Sequence, residues 1–218
     1  MLKELTLYGE GDKVKVAMNR LRLHEPPEGY YVAFSGGKDS CVVLDLCKRA
    51  GVKYDVHYNV TTVDPPELVQ FIRRSYPEAW EGRNVPEKTM WQLIPEKRMP
   101  PTRGVRYCCR YLKEGGGKGR FVVTGVRHAE SSKRANRQMV EVCSRNSAKQ
   151  YIHPIIDWSD ADVWEYITPT TYPTASFTTR ARNVSAASCA HIRGRKGCGE
   201  TLNVGRSMQR HTRRHFNG

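Results

Sequence analysis

Long apolar runs and acidic residues are both scarce in this 218-residue chain. No stretch approaches the roughly 20 apolar residues that a membrane-spanning helix needs. The N-terminus, Met1-Leu2-Lys3-Glu4, turns polar too soon for a secretory leader. The expectation is a chain with no membrane partner. Seven cysteines, an odd number in no secreted-scaffold layout, point to a reducing, cytoplasmic setting. Acids number 22 against 36 Lys+Arg, a net charge of +14, which invites a nucleic-acid partner. The charge is uneven, however. Residues 168–218 hold nine basic residues and one acid, Glu200, leaving 27 basic and 21 acidic residues in 1–167. The basic signal therefore belongs mostly to the tail. Also missing are a Ser-His-Asp arrangement, a paired-carboxylate site and the Walker A spacing.

What the sequence does contain is Phe34-Ser35-Gly36-Gly37-Lys38-Asp39-Ser40. An apolar run, Tyr30–Phe34, precedes it and reads as a buried strand; Cys41–Ala50 follows with helical apolar spacing and a stop at Gly51. A strand, a glycine turn and a helix N-terminus together make an anion site. Gly36 and Gly37 can take positive φ and let a ligand approach the backbone. The helix start offers unpaired N–H groups and the positive end of the dipole. Lys38 adds a point charge and Ser40 a hydroxyl. The plainer alternative is an ordinary strand-to-helix turn with Asp39 as a cap. The motif resembles the pyrophosphate loop, SGGKDS, of the N-type ATP pyrophosphatases, in which ATP is split between its α and β phosphates.

Elsewhere, residues 13–24 read as an amphipathic helix closed by Pro26-Pro27, within an N-terminal helical lead-in, 1–25. Lys53–Val63 reads as a second strand, Glu67–Tyr76 as a helix opened by proline, 77–88 as loop, and Thr89–Ile94 and Val105–Glu114 as short helices. Phe121–Val126 is a buried strand, Tyr151–Asp157 an edge or crossover segment, and Ser159-Asp160 caps a final helix, Ala161–Ile167. Alternating strands and helices predict an α/β, Rossmann-like, doubly wound parallel sheet, with ligand bound at the carboxyl ends of its strands.

Further motifs gather at those ends. Asp64, in Thr61–Leu68, either approaches a ribose or a magnesium ion or caps the next helix. Cys108-Cys109, within the basic stretch Pro100–Arg110, are either ligands to one iron–sulfur cluster or structural thiols. After the Phe121 strand come Gly125 and Arg127; Arg127, Lys133 and Arg134 either surround an anion or form a solvated face. Trp158 and Trp164 read as packing.

Five segments in order, SGGKDS (35–40), TTVDPPEL (61–68), PPTRGVRYCC (100–109), TGVRHAES (124–131) and HPIIDWSDADVWEYI (153–167), resemble the phosphoadenosine-phosphosulfate reductase family of the pyrophosphate-loop superfamily. The resemblance spans about residues 26–167 and implies an adenine nucleotide alpha hydrolase-like fold. An intact loop with Lys38 resembles the ATP-splitting members. It implies ATP and Mg2+ at Ser35, Gly36, Gly37, Lys38, Asp39 and Ser40, with Asp64, Gly125 and Arg127 around the nucleotide. Lys38, Asp39 and Arg127 would carry the chemistry: adenylylation of an acceptor in sulfur metabolism, with pyrophosphate leaving. The implied partners are a small nucleotide substrate and either a nucleic-acid substrate or a sulfur-donor protein. Rival readings are reduction of a bound adenylyl sulfate, a nucleic-acid-binding protein with a basic arm, and an inactive relic.

After Ile167 the hydrophobic periodicity stops. Back-translated and read from the third base of each codon, residues 168–193 admit codons spelling ANNIPYCKLYDEGKKRIGCIMCPHTR, and the same frame continues QKGLRRDAERWPKYAAAY. These strings resemble the family's C-terminal part, with a C-x-x-C pair about 80 positions after Cys108-Cys109, the layout of a four-iron four-sulfur site. A one-base slip near codon 168 accounts for this, and the nucleotide sequence tests it: without a family-like frame there, the idea is dead. Here the cluster would lack half its ligands, with Cys143 a candidate third, and Cys189, His191 and Cys198 are not read as a zinc site. Residues 168–218 are expected to be irregular and poorly ordered.

Overall fold

The computed structural model describes residues 2–168, apart from 7, 8, 103, 144 and 145. The chain opens with a hairpin of β1 (Lys3–Thr6) and β2 (Gly9–Asp12), followed by α1 (Lys13–Leu23). The lead-in is therefore not wholly helical. Asp12 starts α1 by accepting the N–H groups of Val14 and Lys15 on its carboxylate.

The central sheet has five strands. β3 (Tyr30–Phe34) pairs in parallel with β4 (Tyr54–Tyr58) on one side and β5 (Phe121–Val123) on the other. β7 (Asn146–Ile152) runs parallel to β5, and β6 (Val140–Cys143) lies antiparallel on the outer edge, giving the order β4-β3-β5-β7-β6. The expected α/β sheet is thus mixed but mostly parallel. The segment around Tyr151, expected as an edge or crossover, enters an interior strand, because β6, short and with no clean alternation, takes the edge.

Register explains the layers. Tyr30, Val32 and Phe34 of β3 share one face with Val56, Val123 and Ile152, all within the main core. That face is covered by α2 (Lys38–Ala50), whose positions 40–47 are all buried, together with α1 and α7 (Asp160–Ile167). A helix buried on every side over two turns sits at the centre of a core, and its buried Asp45 accepts the Tyr166 hydroxyl. Gly51, at φ 71°, ends α2 in the left-handed conformation. Tyr31 points to the other face, stacks on His57 with ring centroids 4.1 Å apart, and accepts a hydrogen bond from Asn84.

After β4 come α3 (Pro66–Ser75), α4 (Pro77–Glu81) and α5 (Met90–Lys97). α4 occupies the segment expected as loop, started by Pro77 and anchored by the fully buried Ala79. The helix expected over 105–114 is helical over 107–113 and continues as a π-helical turn, Cys109–Lys113, with the Glu114 N–H donating to the Cys109 carbonyl at 2.9 Å. Beyond β5 a 3-10 turn, His128–Glu130, leads into α6 (Ser132–Ala135). Trp158 is 1% exposed in the core, as expected. The tail from 169 onward, with its slip hypothesis and Cys189, His191 and Cys198, lies outside the described residues.

Candidate active site

The sheet's central strand delivers the backbone straight into the glycine bend. Gly36 sits at φ 72°, and a Cβ there would stand 2.7 Å from Leu68 Cδ1 and 3.0 Å from Ile72 Cδ1. Both the conformation and the space demand glycine. Gly37 caps α2 without a side-chain cap, its own N–H donating to Ser35 Oγ at 3.5 Å, and Ser35 and Gly37 face solvent. An α-helix leaves its first N–H groups without intrahelical acceptors, so the bend presents a donor-rich, positive end. Ser40 is buried, and its hydroxyl donates to the Gly37 carbonyl at 2.7 Å while receiving the Ser35 N–H at 3.3 Å. Expected as a phosphate contact, this side chain ties the bend together from inside.

The neighbouring strand supplies the other wall. β5 is shorter than its apolar run because the chain leaves the sheet at Thr124 and brings Gly125 against α2. A Cβ on Gly125 would lie 2.9 Å from the Asp39 Cβ and backbone carbon. That close approach places Arg127 beside the loop. Its side chain is 2% exposed, and Nε donates to Asp39 Oδ1 at 2.8 Å, Nη2 to Asp160 Oδ1 at 2.7 Å and Nη1 to the Trp158 carbonyl at 3.3 Å. Lys38 Nζ bridges the same two carboxylates, 3.1 Å from Asp39 Oδ1 and 3.0 Å from Asp160 Oδ1. Hydrogen bonds from Lys38 and Arg127 hold the Asp160 carboxyl below the usual carboxylate range. For Arg127, burial opposes the charge, but Asp39 and Asp160 outweigh it and raise its pKa.

Ser35, Gly36, Gly37, Lys38, Asp39, Ser40, Gly125 and Arg127 thus converge at the carboxyl ends of β3 and β5. Asp64 belongs to the adjoining loop after β4. It accepts the Tyr58 hydroxyl at 2.5 Å and the Thr61 N–H at 3.4 Å, and it is not the cap of α3, a position Pro65 fills. Lys133 is exposed and Arg134 pairs with Glu130, so neither joins Arg127 among its partners. Asp160 is the residue that the sequence reading assigned only to a helix cap. Ser159 is the actual cap, in a box with Asp162, which frees Asp160 to face the loop.

Neither inorganic cofactor finds a built protein cage. Both carboxylates beside the loop are paired with cations, and no group of three or more metal-ligating side chains exists among the described residues. A magnesium ion here would have to be held largely by the nucleotide's own phosphates. Cys109 Sγ lies 3.3 Å from Arg106 Nη2, and burial and the adjacent Cys109 raise the Cys108 pKa. Among the described residues, these two neighbouring thiols have no third grouped ligand and do not complete a four-iron site.

The profile of the phosphoadenosine phosphosulfate reductase domain matches residues 29–181, well over half the chain. The chain belongs to the phosphoadenosine phosphosulfate reductase family. Two uncharacterized proteins of Methanocaldococcus jannaschii are similar in sequence: one is 27% identical over 146 residues and the other 30% identical over 152, each match covering 62% of this chain. The matched regions span only about a third of those relatives, 34% and 30% of their lengths. Among solved structures, the family fold is shared with the phosphoadenylyl-sulfate reductase of Candida auris, a phosphate complex (TM-score 0.52, 18% identity, covering 72% of this chain and 80% of that one). It is shared too with the FMN adenylyltransferase of Candida glabrata, solved with FAD and inorganic pyrophosphate (TM-score 0.51, 12% identity, covering 74% and 56%). The fold of this phosphoadenosine phosphosulfate reductase family member is adenine nucleotide alpha hydrolase-like. No helix among its described residues is long and apolar enough to cross a membrane.

Proposed function

We propose that the chain binds ATP at Ser35–Ser40 and transfers its adenylyl group to an acceptor in cytoplasmic sulfur chemistry. One observation carries this reading: a glycine-only bend at a helix start, with Lys38 and the buried Arg127 beside it. An acceptor oxygen attacks the α-phosphorus, the bond from that phosphorus to the α–β bridging oxygen breaks, and pyrophosphate departs with its electron pair. The backbone N–H groups at the start of α2 and the Lys38 ammonium stabilise the charge gathering on the departing phosphates. Asp39 fixes Arg127, whose backbone at the end of β5 sets the nucleotide's wall. The solved neighbours support the reading, since one was obtained with phosphate and another with a dinucleotide and inorganic pyrophosphate.

The test is incubation of the chain with ATP and magnesium, followed by mass analysis of products. AMP or an adenylylated acceptor with pyrophosphate is expected, lost in Lys38→Ala. Equal ATP binding by wild type and Lys38→Ala overturns the loop assignment. The family match favours one alternative, reduction of a preformed adenylyl sulfate. That reading requires turnover of adenylyl sulfate with a thiol donor and no splitting of ATP.

A further inference from the structure

The four charges beside the bend cancel: Lys38 and Arg127 against Asp39 and Asp160. Their exposures are unequal, however. The Arg127 side chain is 2% exposed, Lys38 17% and Asp39 22%, but Asp160 is 73% exposed. Asp39 and the Trp158 carbonyl hold Arg127 from within, so Arg127 keeps partners whatever Asp160 does. Lys38 too is held on its inner side by Asp39, at 3.1 and 3.2 Å, but its second partner, Asp160 Oδ1 at 3.0 Å, belongs to a side chain that is largely open to solvent.

An incoming phosphate is an oxyanion of the same donor preference as that carboxylate, and it approaches from the same side. We propose that Asp160 is a resident counter-ion of the loop, which the phosphates of the nucleotide displace from Lys38, so that this carboxylate sets the affinity of the site for phosphate anions. The inference rests on the reading of Ser35–Ser40 as a phosphate site and adds a residue to it. Asp160 acts through Lys38 and is a positioning residue. Its exchange has a chemical rationale. A cation held by Asp39 alone takes small anions more readily, whereas one paired twice yields only to a ligand with several charges and further donors to satisfy. The Asp160 carboxylate is 73% exposed, so solvent screens its share of the pairing and its loss costs folding little.

The probe is inorganic pyrophosphate, titrated calorimetrically into wild type, Asp160→Asn, Asp160→Glu and Lys38→Ala. The amide keeps the shape of Asp160 and removes its charge, and Ser159 and Asp162 still cap α7. Asp160→Asn is expected to bind pyrophosphate about two- to fivefold tighter, the worth of one exposed ion pair. Asp160→Glu, which restores the charge, should remain near wild type. A merely structural role would lower thermal stability and affinity together in Asp160→Asn, whereas displacement predicts opposite directions. Should the amide variant fail to fold, Asp160→Ser, compatible with a helix's first turn, repeats the measurement. If Lys38→Ala weakens binding but Asp160→Asn matches wild type or binds less tightly, the counter-ion assignment is overturned and the loop reading stands. If Lys38→Ala binds as wild type does, or wild type binds no pyrophosphate, the loop reading falls and takes this inference with it.

Discussion

Replacing Gly36 by alanine imposes two separable penalties. A residue with a Cβ held at φ 72° is strained by about 1–2 kcal/mol. The new methyl would also stand 2.7 Å from Leu68 Cδ1, closer than real Cβ contacts come, and 3.0 Å from Ile72 Cδ1, a tight contact. Overpacking of this kind costs about 1–3 kcal/mol, near the lower end when a side-chain tip can swing away. Together, Gly36→Ala should destabilise the fold by about 2–4 kcal/mol. The two parts separate in a Leu68→Ala background, where the worst contact is gone and the backbone strain remains. There the same substitution should cost less than in wild type, about 1–2 kcal/mol of strain plus the smaller push against Ile72 at 3.0 Å. Urea unfolding of the four chains measures this, provided the denaturant slopes agree. Equal costs of Gly36→Ala in the two backgrounds would refute the steric half of the argument. A total cost below the uncertainty of the extrapolation would refute both halves.

Gly125→Ala keeps an ordinary backbone conformation but places a methyl 2.9 Å from the Asp39 backbone. It should push the start of α2 away from β5 and weaken pyrophosphate binding by about tenfold, for roughly 1.4 kcal/mol of lost alignment; calorimetry with unchanged affinity counts against the close-approach argument. His153 gives the pH dependence. Burial lowers its pKa from 6.5 to about 4, and its Nδ1 is 2.7 Å from Thr124 Oγ1. Between pH 6.5 and 4 the unfolded chain holds a proton that the folded chain does not. Stability from this group is therefore fully present above pH 6.5 and falls as pH drops toward 4, by up to about 3 kcal/mol. His153→Gln should flatten that window in thermal melts, and an identical slope in both chains would exclude His153 as its source.

Much of the site was legible because it is local. A strand, two glycines and a helix start within Tyr30–Ala50 announce their conformation through apolar spacing and turn chemistry. The contribution of Arg127 was legible from its place after a strong strand, since strand ends in a parallel sheet meet. Asp160 was hidden, because a carboxylate at the start of a helix has a sufficient local explanation in capping. Only tertiary packing, which puts α7 beside α2, gives it Lys38 and Arg127 as partners. For the same reason β6 and the opening hairpin escaped detection. Their residues carry little apolar alternation, and their pairing is fixed by neighbours, β7 for the one and the entry to α1 for the other. The helix expected over 105–114 is there over 107–113, its later part wound as a π turn, and Gly116 packs beneath Tyr31 just beyond it, with no room for a Cβ.

The guanidinium of Arg127 is gripped by positions 39, 158 and 160, and Lys38 reaches across 122 residues to Asp160. Synthesis from the N-terminus therefore makes the glycine bend early and finishes its electrostatics only when the last described helix arrives. A nascent or truncated product ending before residue 158 would carry the glycine turn but leave a deep arginine without its outer anchors. Completion of this charge cluster is in this sense a late event in the chain's assembly, and it doubles as a check that helix α7 has docked.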